Sequence, residues 1–257
     1  MGILRTPDKR ISDMRAGRVN ILGVNVDAVT MEDSVGVVRE ALGQGDRLRV
    51  VTANPEMILR AERDEALREI MARADLVVPD GEGVVWAARV LGAWLPERVT
   101  GIDLARRLLA EAHTYGWRVF FLGGQPGVAD EAAAMMGRDF PGLEVGAHHG
   151  YFTVGQEEEG VLALIRDFHP EILLAGMGAP FQEFWLSRYP DLAGVSVGVG
   201  GTFDVFAGRV KRAPRWVRRL RLEWLYRLLR EPKRLRRQLD LPRYMWRVLR
   251  FAKKGSL

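Results

Sequence analysis

Short apolar runs alternate with stretches of helical period along most of this chain. Val19–Leu22, Leu48–Thr52, Leu76–Val78, Arg118–Leu122, Glu144–Ala147, Ile172–Ala175 and Val195–Val199 read as strands. Most are rich in Val, Ile or Leu, the composition of strands buried on both faces. Thr30 with Asp33 forms a capping-box pattern that opens a helix to about Leu42. Asn54 before Pro55 reads as an N-cap followed by a proline in the first helical position. Further helices are predicted over 64–73, 81–91, 103–115, 126–138, 157–168 and 181–189. Strand and helix alternating this way imply an α/β fold, a mostly parallel sheet with helices on both faces.

Composition supports a globular core: 257 residues are 47% hydrophobic with 28 glycines. The absence of cysteine excludes disulfides, thiolate metal sites and cysteine nucleophiles. The first ten residues lack the apolar segment of a signal peptide, and no apolar run approaches the roughly 18 residues of a membrane span. Any membrane contact is therefore expected to be peripheral.

Charge divides the chain. Residues 209–257 carry 18 Lys and Arg against three acids, a net of +15, while residues 1–208 carry a net of −10. Pro214 suits a helical first turn, and Pro232 and Pro242 are predicted to break this tail into three helices. On a helical wheel Val217, Leu220, Trp224 and Leu228 share one face, and the arginines fall largely elsewhere, the pattern of a basic amphipathic helix. Such a tail meets something anionic: a lipid headgroup surface, a nucleic acid or a phosphorylated substrate. Its coherent apolar face favours a membrane interface or docking on the body over nucleic acid.

In a doubly wound sheet ligands bind beyond the carboxyl ends of the strands. Polar and glycine-rich segments gather there: Thr52 to Glu56, Pro79 to Gly83, Gly123-Gly124, Gly176 to Glu183 and Gly198 to Asp204. Glycines allow backbone amides to approach a phosphate, and a following helix N-terminus adds favourable potential. No Gly-x-Gly-x-x-Gly followed by the expected acid is present, and no P-loop. Asp80, between Pro79 and Gly81, reads equally as a general base or as a helix cap. Asn54 carries the same two readings, as a cap or as an amide that orients a substrate. Arg98 clamps an anion or pairs with Glu97 or Asp103. Metal chemistry has little support: the four histidines lack a His-x-x-x-His spacing, and His148 and His149 would point to opposite faces of an extended segment. No Asp-x-Asp occurs either, so a diphosphate would be met by amides and arginines.

Seven segments in order carry a resemblance: Thr-Ala-Asn-Pro-Glu at 52–56, Pro-Asp-Gly at 79–81, Arg-Val-Thr-Gly-Ile-Asp at 98–103, Phe-Leu-Gly-Gly at 121–124, Gly-Met-Gly-Ala-Pro-Phe-Gln-Glu at 176–183, Gly-Val-Gly-Gly-Thr-Phe-Asp at 198–204 and Arg-Ala-Pro at 212–214. Together they resemble the TagA/WecG/CpsF glycosyltransferase family over about residues 18–230. The resemblance implies a Rossmann-like fold and an inverting, metal-independent transfer without a cofactor. N-acetylmannosamine or a related sugar would move from a UDP-sugar donor to a polyprenyl-diphosphate-linked N-acetylglucosamine. The pathway would be teichoic acid, common-antigen or capsule synthesis.

The resemblance also implies site residues. Asp80 matches the proposed base, with Thr52 and Asn54 beside it. Arg98 and Gln182 match substrate-handling positions, Asp204 the nucleotide region, and Arg212, Arg215, Arg218, Arg219 and Arg221 are the candidates in an appendage that completes the site. Gly123, Gly124, Gly176, Gly178 and Gly201 are the expected phosphate-facing turns. The division expected is a 1–18 extension, a 19–208 α/β catalytic domain and a 209–257 helical appendage on an anionic membrane surface at the cytoplasmic face. A homo-oligomer away from the membrane is also implied, and no nucleic-acid partner is. The rival reading is a nucleotide-binding protein without turnover, whose tail binds membrane or nucleic acid.

Overall fold

A computed structural model of the chain describes residues 17–220, 223–230 and 240–255. Six parallel strands form the central sheet: β3 (Leu48–Ala53), β4 (Leu76–Pro79), β5 (Val119–Gly123), β6 (Val145–His148), β7 (Ile172–Gly176) and β8 (Val195–Gly198). Their order across the sheet is β4-β3-β8-β7-β5-β6, and every neighbouring pair is parallel. The predicted α/β architecture is therefore present, and it is Rossmann-like.

The first predicted strand is not part of this sheet. Arg18–Ile21 (β1) pairs antiparallel with Val24–Asp27 (β2), which the apolar pattern did not separate from β1. The two-residue turn at Leu22 and Gly23 places both at positive φ, the twist that a tight hairpin needs. Asp27, fully buried, accepts from Arg18 Nε at 2.8 Å and from the Val77 amide at 2.7 Å, which anchors the hairpin beside β4.

Local signals set most helix starts. The Thr30–Asp33 capping box opens α1 (Met31–Gln44), and Gly45 in the left-handed region closes it. Asn54 caps α2 (Pro55–Ala61), and Asp64 caps α3 (Glu65–Ala72). The chain continues through α4 (Glu82–Val90), α5 (Gly101–Tyr115), α6 (Val128–Asp139), α7 (Glu158–Phe168) and α8 (Phe181–Arg188). The short α9 (Thr202–Phe206) was not expected, because five residues after a glycine run show no period. Its Phe203 stacks on Phe121 with ring centroids 4.8 Å apart.

Helices α1, α5, α6 and α9 cover the sheet face that carries Val50, Phe121, Leu174 and Val197. Helices α2, α3, α4, α7 and α8, with the β1–β2 hairpin, cover the opposite face, which carries Val51, Phe120 and Leu173. Both faces are thus sealed, which accounts for the unbroken apolar runs.

The basic tail forms three helices among the described residues: α10 (Arg215–Arg219), α11 (Glu223–Arg230) and α12 (Asp240–Gly255). Pro232 lies outside the described residues. Pro242 breaks nothing; it sits in the first turn of α12, where a missing N–H has no intrahelical partner to lose. The predicted single wheel through Val217, Leu220, Trp224 and Leu228 does not hold. Helix α10 ends at Arg219 and α11 begins anew at Glu223, so Val217 is buried while Leu220 and Trp224 stay exposed. Tyr244 and Val248 of α12 are completely buried in the cluster of α2, α4 and β1, and Arg247 pairs with Glu62 beside them. The outer side of the tail presents Trp216, Leu220, Trp246, Leu249 and Phe251 to solvent. No helix among the described residues is long and apolar enough to cross a membrane.

Candidate active site

The sheet opens between β3 and β8. Their ladder pairs Leu48 with Val195 through Val50 with Val197 and goes no further. Beyond it α2 leaves β3 towards one face of the sheet while α9 leaves β8 towards the other. This is a topological switch point, where a parallel sheet leaves a crevice at its carboxyl edge. A cavity of about 1020 Å³ occupies it, with Thr52, Asn54, Asp80 and the glycine turns of β5, β7 and β8 in its wall.

Thr52 is buried at the floor and donates its hydroxyl to the Gly198 carbonyl at 2.7 Å, spanning the gap where the ladder has stopped. That bond leaves the oxygen lone pairs, and not the proton, for a ligand. Asn54 does cap α2, accepting from the Met57 amide at 3.0 Å through Oδ1. Capping uses the carbonyl of the side chain and leaves the amide nitrogen for the cavity, so the two sequence readings of Asn54 are compatible.

Asp80 follows β4 directly, and its main-chain N–H donates to the Ala53 carbonyl at 2.8 Å, which holds it beside Asn54. It does not cap α4: the N-cap is Gly81, with no side-chain cap bond. Gly81 has φ 119° and ψ 149°, a conformation essentially restricted to glycine, and it turns the chain sharply enough to leave the Asp80 carboxylate at the cavity wall. Oδ2 of Asp80 accepts from the Gly101 amide at 3.3 Å, at the start of α5. A second pocket of about 240 Å³ lies on the other side of Asp80, between Arg98, Gly101 and Trp224.

The glycine turns divide into two kinds. A Cβ on Gly123 would lie 2.5 Å from the Gly176 backbone, and one on Gly176 would lie 2.7 Å from the Gly200 carbonyl. These glycines let three strand ends pack backbone to backbone, and Gly123 is not in the cavity wall. Gly124, Gly176, Gly178 and Gly201 do line it. Gln182 is only 2% exposed. Asp204 lines the cavity beside Arg209, which is held by Glu131 through two bonds of 2.7 Å. Arg209 is a wall residue the sequence reading missed. Its one signal was its place as the first basic residue after the charge boundary.

Arg98 pairs with neither Glu97 nor Asp103. Its partners are Glu82 at 3.5 Å and Glu223 at 3.6 Å. Glu97 instead accepts from the Met31 amide, and Asp103 is engaged by Arg212 through two bonds of 2.6 Å. Arg212 also reaches Glu223 at 3.3 Å. Burial by itself lowers the Arg212 guanidinium, but the Asp103 and Glu223 carboxylates hold it above its ordinary value. Arg98, Glu223, Arg212 and Asp103 thus form one ionic chain from body to tail. It carries Trp224, the next residue of α11, into the walls of both pockets. Arg212 is a strut in this chain and is not in the cavity wall. Arg219 is exposed on α10, which also contains Arg215 and Arg218, and Arg221 lies outside the described residues.

The cavity wall is acidic among the described residues. Glu56, Asp80, Glu82, Asp204 and Asp240 face it, and Arg209 is their basic counterpart. His148 and His149 do not point apart as expected. β6 ends at His148, the alternation ends with it, and the two rings lie 4.3 Å apart. No group of three or more His, Asp or Glu among the described residues is arranged to hold a metal ion.

Known proteins are similar to this chain over most of its length. A Bacillus spizizenii protein named N-acetylglucosaminyldiphosphoundecaprenol N-acetyl-beta-D-mannosaminyltransferase is 39% identical over 217 residues, 84% of each chain. A Staphylococcus aureus (strain MW2) protein of the same name is 36% identical over 241 residues, 92% of this chain and 94% of that one. The profile described as Glycosyl transferase WecG/TagA/CpsF family matches residues 19–256, which spans the sheet, the cavity and the tail helices alike. The chain belongs to the WecG/TagA/CpsF family of glycosyl transferases.

Proposed function

We propose that this enzyme transfers N-acetylmannosamine from a UDP donor to a polyprenyl-diphosphate-linked N-acetylglucosamine, with inversion and without a metal. The relatives' names supply the sugar and the acceptor class. The observation that carries the chemistry is the convergence of Asp80 and Asn54, from the ends of neighbouring strands, on one cavity with the glycine turns. Asp80 takes the proton of the acceptor 4-hydroxyl as that oxygen attacks the anomeric carbon. The bond from this carbon to the UDP oxygen breaks on the opposite side. Asn54 and the lone pairs of Thr52 orient sugar hydroxyls.

The leaving diphosphate needs positive potential, and the described wall is mostly acidic. Backbone amides of the turns, Arg209 and arginines of the appendage meet that charge. The absence of an Asp-x-Asp pair supports metal independence. The placement of Trp224 on both pockets supports an appendage that belongs to the active site and docks where the lipid substrate lies.

UDP release from a panel of UDP-sugars, with a synthetic polyprenyl-diphosphate-N-acetylglucosamine acceptor, tests the reading. UDP-N-acetylmannosamine should be the preferred donor, with turnover unchanged in excess chelator. UDP binding without release from any donor would support the non-turnover alternative, and loss of turnover in chelator would refute metal independence.

A further inference from the structure

Two adjacent side chains at the start of α8, Gln182 and Glu183, are each only 2% exposed. Polar side chains in the first turn of a helix usually face solvent. A glutamate at the third helical position commonly reaches back to the N-cap amide, but here the N-cap is Pro180, which has no N–H. Glu183 is directed inward instead, under the end of β8. A Cβ on Gly198 would lie 2.6 Å from Gln182 Nε2 and 2.9 Å from Glu183 Oε1, so the glycine makes room for this pair.

The bonding of the pair is directional. Gln182 Oε1 accepts from the Gly178 amide and from the Gly200 amide, both at 3.2 Å. One oxygen therefore ties the turn after β7 to the turn after β8. With that oxygen committed, Gln182 must present Nε2 on its other side, and Nε2 donates to Glu183 Oε1 at 2.8 Å. Glu183 Oε2 is buried without a partner. Burial pushes its carboxyl up from the ordinary value, in spite of the hydrogen bond from Gln182. Without an acceptor at residue 183, a buried Gln182 could rotate its amide and lose both turn contacts.

We propose that Glu183 is a positioning residue: through Gln182 it sets the separation of the Gly176–Gly178 and Gly200–Gly201 turns, and so shapes the cradle for the donor diphosphate. The requirement is for a hydrogen-bond acceptor at this point, which the carbonyl oxygen of a glutamine also supplies. This inference rests on the reading of the cavity as a UDP-sugar site.

The test measures UDP affinity, the KM of each substrate and amide hydrogen exchange at Gly178 and Gly200. Variants are Glu183→Leu, Glu183→Gln, Gln182→Met and the double variant Gln182→Met/Glu183→Leu. Glu183→Leu should weaken UDP binding about tenfold, raise the donor KM and leave the acceptor KM alone. Exchange at both glycine amides should quicken. Glu183→Gln should restore affinity to within about twofold. In the Gln182→Met background Glu183→Leu should add nothing, because the residue acts only through Gln182. If Glu183→Leu fails to fold, Gln182→Met alone must show the same donor-specific loss and the same faster exchange. Wild-type affinity and wild-type protection in either folded variant would overturn the proposal, as would a Glu183→Gln variant as weak as Glu183→Leu. If the wild-type enzyme does not bind UDP, the functional reading fails first. The exchange data then judge the brace separately.

Discussion

Asp80, Asn54 and Thr52 show how much one side chain can be asked to do at a strand end. Asp80 is reserved from capping by Gly81 and steadied by the Gly101 amide. Removing a positioned base costs roughly 10²–10⁴-fold in rate, so Asp80→Asn should lose turnover to that extent while isothermal titration finds UDP binding nearly unchanged. Asn54 offers a sharper separation, because it caps with one atom and leaves another for the cavity. Asn54→Asp keeps the capping oxygen and removes the amide donors. It should hold the melting temperature close to wild type while turnover falls. Asn54→Ala should lose both, with a stability cost of about 1 kcal/mol read by thermal denaturation. Both readings of Asn54 could be made from Asn-Pro alone. That the two are compatible required the position of β4, because the Asp80 amide bonded to Ala53 is what brings the Asp80 carboxylate alongside.

Elements are where local signals served best and least. The cap at Thr30 and the capped prolyl start at Asn54 were legible because each involves residues three apart. β2 was not, because a hairpin of two four-residue strands is too short for its period to stand out. In the tail, helix and charge were plain but helix boundaries and partners were not. Glu223 is one of three acids among 18 bases, and it is the one that stands between Arg98 and Arg212. Glu223→Gln keeps its shape and removes the charge from this nearly buried position. It should lower stability by about 2 kcal/mol, and limited proteolysis should cut within the tail sooner than in the wild type. Turnover should fall along with this, since Trp224 loses its anchor beside the cavity.

The whole molecule joins an acidic body to a basic tail, and the tail has two sides. Its inner side is sunk into the body through Tyr244 and Val248, and burial pushes the Tyr244 phenol up. Its outer side shows Trp216, Trp246, Leu249 and Phe251 among arginines, the make-up of a surface that lies in a headgroup layer. Sedimentation with phosphatidylglycerol vesicles should carry the protein down at low salt and much less in about 0.5 M salt, where screening shortens the reach of exposed charge. The double variant Trp216→Ser/Trp246→Ser should bind vesicles more weakly and still turn over a short-chain soluble acceptor. Equal binding to RNA in a gel shift would count against a membrane as the tail's partner.

By itself the sequence determined the order of the six sheet strands and of the longer helices between them, their burial on both faces, most helix starts and the split of charge at residue 209. These follow from period, composition and contacts a few residues apart, which a linear chain displays. Tertiary structure alone decided which strand ends meet. Thr52 reaches Gly198 across 146 positions, and Arg212 reaches Asp103 across 109. It also turned Gln182 and Glu183 inward, paired Arg98 with a tail glutamate, and brought Trp224 to the cavity. Packing of distant elements sets those contacts, and no local period records it.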